Sequence, residues 1–153
     1  MAADEEVAFE AWGLLLRVHA RVTAGLDAAL RQRAGVALST YDLLAHVATA
    51  PDRCIRLHDL EERVFFSQST VSRLAARLER EGLLERTVPV CDRRALEVRL
   101  TPAGFATFRA ARAVAADQLR ASFVAALAPG QDVALRDALA SLCGAGRGST
   151  VPE

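Results

Sequence analysis

Apolar residues recur at three- and four-residue steps from Val7 through Ala11, Leu14, Leu15, Val18, Val22 and Leu26 to Leu30. That period predicts one long amphipathic helix over 4–33. Asp4 can cap it, Glu5 and Glu6 suit its positive end, and Arg31 and Arg33 suit its negative end. Such a helix spans about 45 Å, more than a compact domain of this size needs. Packing on a second copy of itself is therefore expected.

Gly35 predicts a stop, and "STYD" (39–42) offers a capping box for the next helix, with Ser39 as N-cap and Asp42 three residues on. That helix is expected to end near Thr49, before Pro51. "RCIR" (53–56) reads as a very short strand and "LHDLEERV" (57–64) as a compact helix. A second short helix follows from Ser67 to about Arg80, with Ser67 as N-cap and Phe66 and Val71 at the staple positions. Val71, Leu74 and Leu78 form its apolar stripe, and Gly82 ends it. Gln68, Ser69, Ser72, Arg73 and Arg77 are left mostly outward, a pattern that predicts a helix-turn-helix.

"LLERTVPV" (83–90) and "ALEVRL" (95–100) alternate as strands, the second with Leu96, Val98 and Leu100 on one face. Between them lies the charged turn "CDRR" (91–94). Thr101 caps a further helix with Pro102 at its first position, where a missing N–H costs nothing. This helix is expected to run to about Ala128, with a last one over 131–143 and a flexible tail over 145–153. The fold class is mainly α with a small β wing, in a single domain over 1–144.

Composition adds little until its distribution is considered. The formal net charge is zero, yet residues 63–99 hold eight arginines against five carboxylates. All basic residues are arginine, whose planar fork suits phosphates and base edges. Cys54, Cys91 and Cys143 are too far apart for a disulfide framework or structural zinc. His19, His46 and His58 lack metal-ligand spacing, and each reads as structural. The acidic N-terminus is unlike a signal peptide and no apolar run approaches 18 residues, so a cytoplasmic protein without a membrane span is expected. No Gly-rich phosphate loop, HExxH or GxSxG in an appropriate context speaks for an enzyme. No metal or cofactor is expected either.

The run "SQSTVSRLAARLEREGLLERTVPVCDRRALEVRLTPAG" (67–104) resembles the MarR family of bacterial transcriptional regulators. It matches the family's recognition helix, the "LEREGLLER" exit, the Asp-Arg-Arg wing and the "LTPAG" helix entry. The resemblance implies a winged helix-turn-helix over about 36–101 and dimerisation helices over about 4–33 and 102–143. It implies a homodimeric repressor on a pseudo-palindromic operator in double-stranded DNA, with affinity modulated by a small phenolic or other aromatic effector.

Carried onto this chain, the contact-bearing part of the recognition helix is Ser67, Gln68, Ser69, Thr70, Ser72, Arg73 and Arg77. Arg73 is the expected base reader, because arginine binds guanine O6 and N7 with two hydrogen bonds. The hydroxyls are expected to grip phosphates. By the resemblance Arg94 enters the minor groove, Arg93 meets the backbone and Asp92 orients Arg94. Trp12, Leu16, His19 and Phe105 are candidates for lining an effector pocket, with ordinary packing as the competing role. Two other readings stay open: redox response through Cys91, beside guanidinium groups that favour thiolate, and a winged-helix module for protein contacts. Cys54 and Cys143 read as packing residues.

Overall fold

The computed structural model describes residues 2–64, 67–88 and 96–145. Among them the chain forms six α-helices and three short strands: α1 (Ala2–Ala34), α2 (Leu38–Ala48), β1 (Cys54–Arg56), α3 (Leu57–Arg63), α4 (Gln68–Arg80), β2 (Leu84–Thr87), β3 (Glu97–Leu100), α5 (Pro102–Ser122) and α6 (Gln131–Ala145). Among the described residues, no helix is long and apolar enough to cross a membrane.

The long first helix forms as its period predicts and stops at Gly35, whose φ of +69° is one a side chain would resist. The next helix departs from expectation. It begins at Leu38 with Ala37 in the cap position and no local side-chain cap, so Ser39 does not serve as N-cap. The Asp27 carboxylate, eleven residues back on α1, accepts from the Leu38 N–H at 2.7 Å. Asp42 pairs with His46 one turn on instead of reaching back.

The strands form one antiparallel sheet in the order β1-β3-β2. β3 pairs with both neighbours, Ile55 opposite Val98 and Leu84 opposite Leu100. Its alternation buries Val98 and Leu100 and exposes Arg99. The buried residues divide into two clusters. One joins α2, α3, α4 and the sheet around Leu43, Leu44, Val47, Leu60, Val71, Leu78 and Val98. The other joins Leu26, Ala29 and Leu30 of α1 to Ala111, Val114 and Ala115 of α5. Tyr41 packs against both clusters and its ring stacks on Phe108.

α5 starts as expected: the Thr101 hydroxyl accepts from the Gly104 N–H at 2.9 Å, with Pro102 in the first turn. It ends sooner, at Ser122 instead of near Ala128, and passes into a 3₁₀ turn over Val124–Ala126. The Ser122 hydroxyl donates to the Gln118 carbonyl, a local bond that competes with the helical ladder where the winding tightens. Outside the packed region, Val7, Phe9, Trp12, Leu14, Leu15 and Leu16 on the first half of α1 are exposed, as are Val133, Leu139 and Leu142 on α6.

Candidate nucleic-acid interface

α4 is strongly two-faced. Val71, Leu74, Ala75 and Leu78 are buried. With about 100° per residue, the side opposite Val71 and Leu78 is centred on Ser69, Arg73 and Arg80, all exposed. Its exit is fixed by a Schellman turn: Gly82 at φ +73° lets its N–H reach the Glu79 carbonyl at 2.9 Å and the Leu83 N–H reach the Leu78 carbonyl at 2.8 Å.

At the entry, Ser67 occupies the cap position but its hydroxyl does not cap a backbone N–H, a correction to the expected bond. The Thr70 and Val71 N–H groups already bond to the Ser67 carbonyl, at 2.8 and 3.0 Å. The Ser67 hydroxyl instead lies 3.2 Å from the Ser69 hydroxyl and 2.9 Å from that of Thr70. Arg73 folds toward the same end, donating from Nε to the Ser69 carbonyl at 3.0 Å and from Nη2 to the Thr70 hydroxyl at 3.5 Å. Three hydroxyls and a guanidinium thus gather at a helix N-terminus, where the dipole favours an anion.

Of the other expected contact residues, Gln68 is exposed in the first turn and Ser72 is half-buried on the flank. Arg77 is tethered. Its Nη2 donates to the Thr40 hydroxyl of α2 at 2.8 Å, and its Nε lies 3.4 Å from the Glu81 carboxylate. Asp92, Arg93, Arg94 and Cys91 lie outside the described residues, as does Phe66 with its staple contact.

Three contacts that position this face were not anticipated. Arg86 on β2 donates from Nε to Glu79 on α4 at 2.6 Å, with Nη2 at 2.5 Å from the same carboxylate oxygen, joining the strand to the helix. Their seven-residue spacing across Gly82 was the available signal. Thr101 donates to the Gly82 carbonyl at 2.7 Å, joining the exit of α4 to the start of α5. Gly104 sits so close to the turn leading into β2 that a Cβ there would lie 2.0 Å from the Leu83 carbonyl oxygen.

The candidate effector residues are not brought together within the described chain. Trp12, Leu16 and His19 are exposed on α1, whereas Phe105 is half-buried against the winged core. The Arg53 guanidinium lies 3.6 Å from the Phe105 ring centroid. Tyr41, Phe105 and Phe108 form a contiguous aromatic set beneath Arg53 and Arg112. Burial pushes the Tyr41 hydroxyl above its ordinary pKa, while the Arg112 charge opposes that shift. Arg53 and its neighbour Asp52 both have left-handed φ, near +53° and +51°, and Arg99 donates to the Asp52 carbonyl there. Cys54 is half-buried, and burial first, then the facing Glu97, outweigh nearby Arg99 and raise its thiol pKa. A thiol so shifted is a weak nucleophile.

A family model described as MarR family matches residues 34–95, which hold the helix-turn-helix whose geometry is set out above. Over these residues the chain is similar to the MarR family. AbsC, a MarR family transcriptional regulator from Streptomyces coelicolor, is 29% identical, with a TM-score of 0.82 over 91% of this chain and 93% of its own. Sco3205, a MarR family regulator of the same organism solved in complex with DNA, is 24% identical, with a TM-score of 0.83 over 99% of this chain and 93% of its own. BpsR of Bordetella bronchiseptica, whose DNA binding is regulated by 6-hydroxynicotinic acid, is 24% identical, with a TM-score of 0.75 over 86% of this chain and 91% of its own. A search of curated protein sequences finds no match. The similarity over 34–95 and the likeness to AbsC are to transcriptional regulators of the MarR family.

Proposed function

We propose that the protein is a homodimeric, cytoplasmic repressor that places α4 of each subunit in successive major grooves of a pseudo-palindromic operator. The observation that carries this reading is the gathering of Ser67, Ser69, Thr70 and Arg73 at the exposed entry of α4. The hydroxyls and the helix N-terminus hold phosphate oxygens, and Arg73 swings from its own backbone to a guanine edge. Ser72 and Gln68 flank that contact. Asp92, Arg93 and Arg94 form the wing, with Arg94 in the minor groove. The exposed apolar positions of α1 and α6 meet those of a second subunit.

A small aromatic carboxylate or phenol is the effector class that fits the rings of Tyr41, Phe105 and Phe108 beneath the Arg53 and Arg112 guanidinium groups. Trp12, Leu16 and His19, exposed in the single chain, would join that aromatic set from a second subunit. The effector releases DNA by binding more tightly to a spacing of the two winged lobes that does not match the half-sites.

The test is a footprint on the DNA upstream of the protein's own gene, with and without aromatic acids. Two protected half-sites about one or two helical turns apart are expected. Absence of sequence-specific protection would overturn the reading.

A further inference from the structure

Arg77 and Arg73 share one helix and similar chemistry, yet their surroundings differ. Arg73 projects close to the middle of the outward face of α4. Arg77 lies only about 100° from Leu78 at the centre of the buried stripe, on the flank that turns toward α2. There its guanidinium is the hydrogen-bond donor to Thr40, a side chain only 3% exposed. A buried hydroxyl stripped of that partner would be left facing apolar neighbours at a cost. Glu81 holds the Nε side of the same guanidinium. Two of its edges are therefore engaged by the protein's own side chains, one buried and one at the surface, while the guanidinium stays about half exposed.

The partner residue sits at a strategic place. Thr40 precedes Tyr41, which packs against both the winged core and the core shared by α1 and α5. The bond from Arg77 thus joins the recognition helix to a helix whose side chains, like those of α5, reach both cores. We infer that Arg77 is a positioning residue: it sets the angle of α4 on α2 through Thr40, and it does not read a base. This inference rests on α4 being the DNA-reading helix.

The experiment is a double-mutant cycle on the full chain with Thr40→Val, Arg77→Met and the pair, plus Thr40→Ser as the variant that keeps the hydroxyl. Binding to operator and to scrambled DNA is measured by fluorescence anisotropy, and the α4 backbone amides are followed by hydrogen exchange. Thr40→Val should weaken operator binding about tenfold, the scale of losing one hydrogen bond to a charged group. It should also reduce the ratio of operator to scrambled affinity and speed α4 exchange. Thr40→Ser should stay close to the parent, and Thr40→Val should add nothing in the Arg77→Met background.

Unaltered operator binding by Thr40→Val, with a large loss in Arg77→Met, would overturn the inference and make Arg77 a direct DNA contact. Losses that multiply in the pair would overturn it as well. Thr40→Ala replaces Thr40→Val if circular dichroism shows the latter unfolded. A parent protein that binds no specific DNA would sink the DNA reading instead. The anchor would then be judged by exchange alone, with unchanged α4 protection in Thr40→Val counting against it.

Discussion

The Asp27 carboxylate caps a helix that it does not belong to, accepting the Leu38 N–H at 2.7 Å while its other oxygen holds Arg31 at 2.7 Å. The Arg31 hydrogen bond first, and the Leu38 N–H second, lower the Asp27 pKa. A depressed folded-state pKa contributes stability above the ordinary aspartate value of about 3.9, and that stability is lost as pH falls through the folded value. Asp27→Ala is therefore expected to lower the melting temperature by a constant margin between pH 7 and pH 5. The margin should shrink below about pH 4. Thermal melts at pH 3, 5 and 7 check this; a gap that persists undiminished at pH 3 would refute the cap.

Gly104 is expected to tolerate no side chain. A Cβ there would lie 2.0 Å from the Leu83 carbonyl oxygen and 2.9 Å from a Leu100 methyl. The Leu83 backbone cannot retreat without disturbing the Schellman turn to which it belongs. Gly104→Ala should destabilise by about 3 kcal/mol, the upper end for overpacking, as measured by urea denaturation. A loss below about 1 kcal/mol would mean that the strand and helix can separate.

Arg73→Ala is expected to act on discrimination more than on general affinity. Removing a bidentate base contact costs about 1–3 kcal/mol against the right base and little against a wrong one. Anisotropy titrations with operator and with single-base variants should show one position at which preference disappears. Equal weakening on every DNA would reassign Arg73 to the phosphates.

The exposed stripe of Phe9, Trp12 and Leu16 on α1 is expected to close a dimer. Charging it with Trp12→Glu and Leu16→Glu should raise the dimer dissociation constant about thirtyfold or more, the scale of an interface hot spot. Sedimentation at several concentrations reads this directly. A parent protein that sediments as a monomer at micromolar concentration would refute the second-copy reading of that stripe.

Legibility in the sequence followed the range of the interactions. The α1 period, the Val71–Leu74–Leu78 stripe and the Thr101–Pro102 helix entry are local patterns, and each forms where the sequence places it. The failures are local patterns displaced by distant partners or by competing local bonds. Ser39 and Asp42 fit a capping box, but a carboxylate on another helix had already filled that role. Ser67 fits an N-cap, but its own carbonyl takes the N–H groups and frees the hydroxyl for the array beside it. Arg77 looked like a neighbour of Arg73 because spacing along a helix does not reveal which arginine finds a buried threonine on another element. The wing residues Asp92, Arg93 and Arg94 rest on the family resemblance.

The Arg86–Glu79 ion pair bridges the sharp corner where the chain leaves α4 and enters β2. With the Schellman turn on the same corner, it ties the recognition helix to the strand at the root of the wing, like two prongs of a fork on a common handle. On the proposed function, major-groove and minor-groove contacts on each half-site would be gained and lost together. Under the same proposal, switching would consist of setting how far apart two such forks stand, and operators would be constrained in spacing as strictly as in sequence.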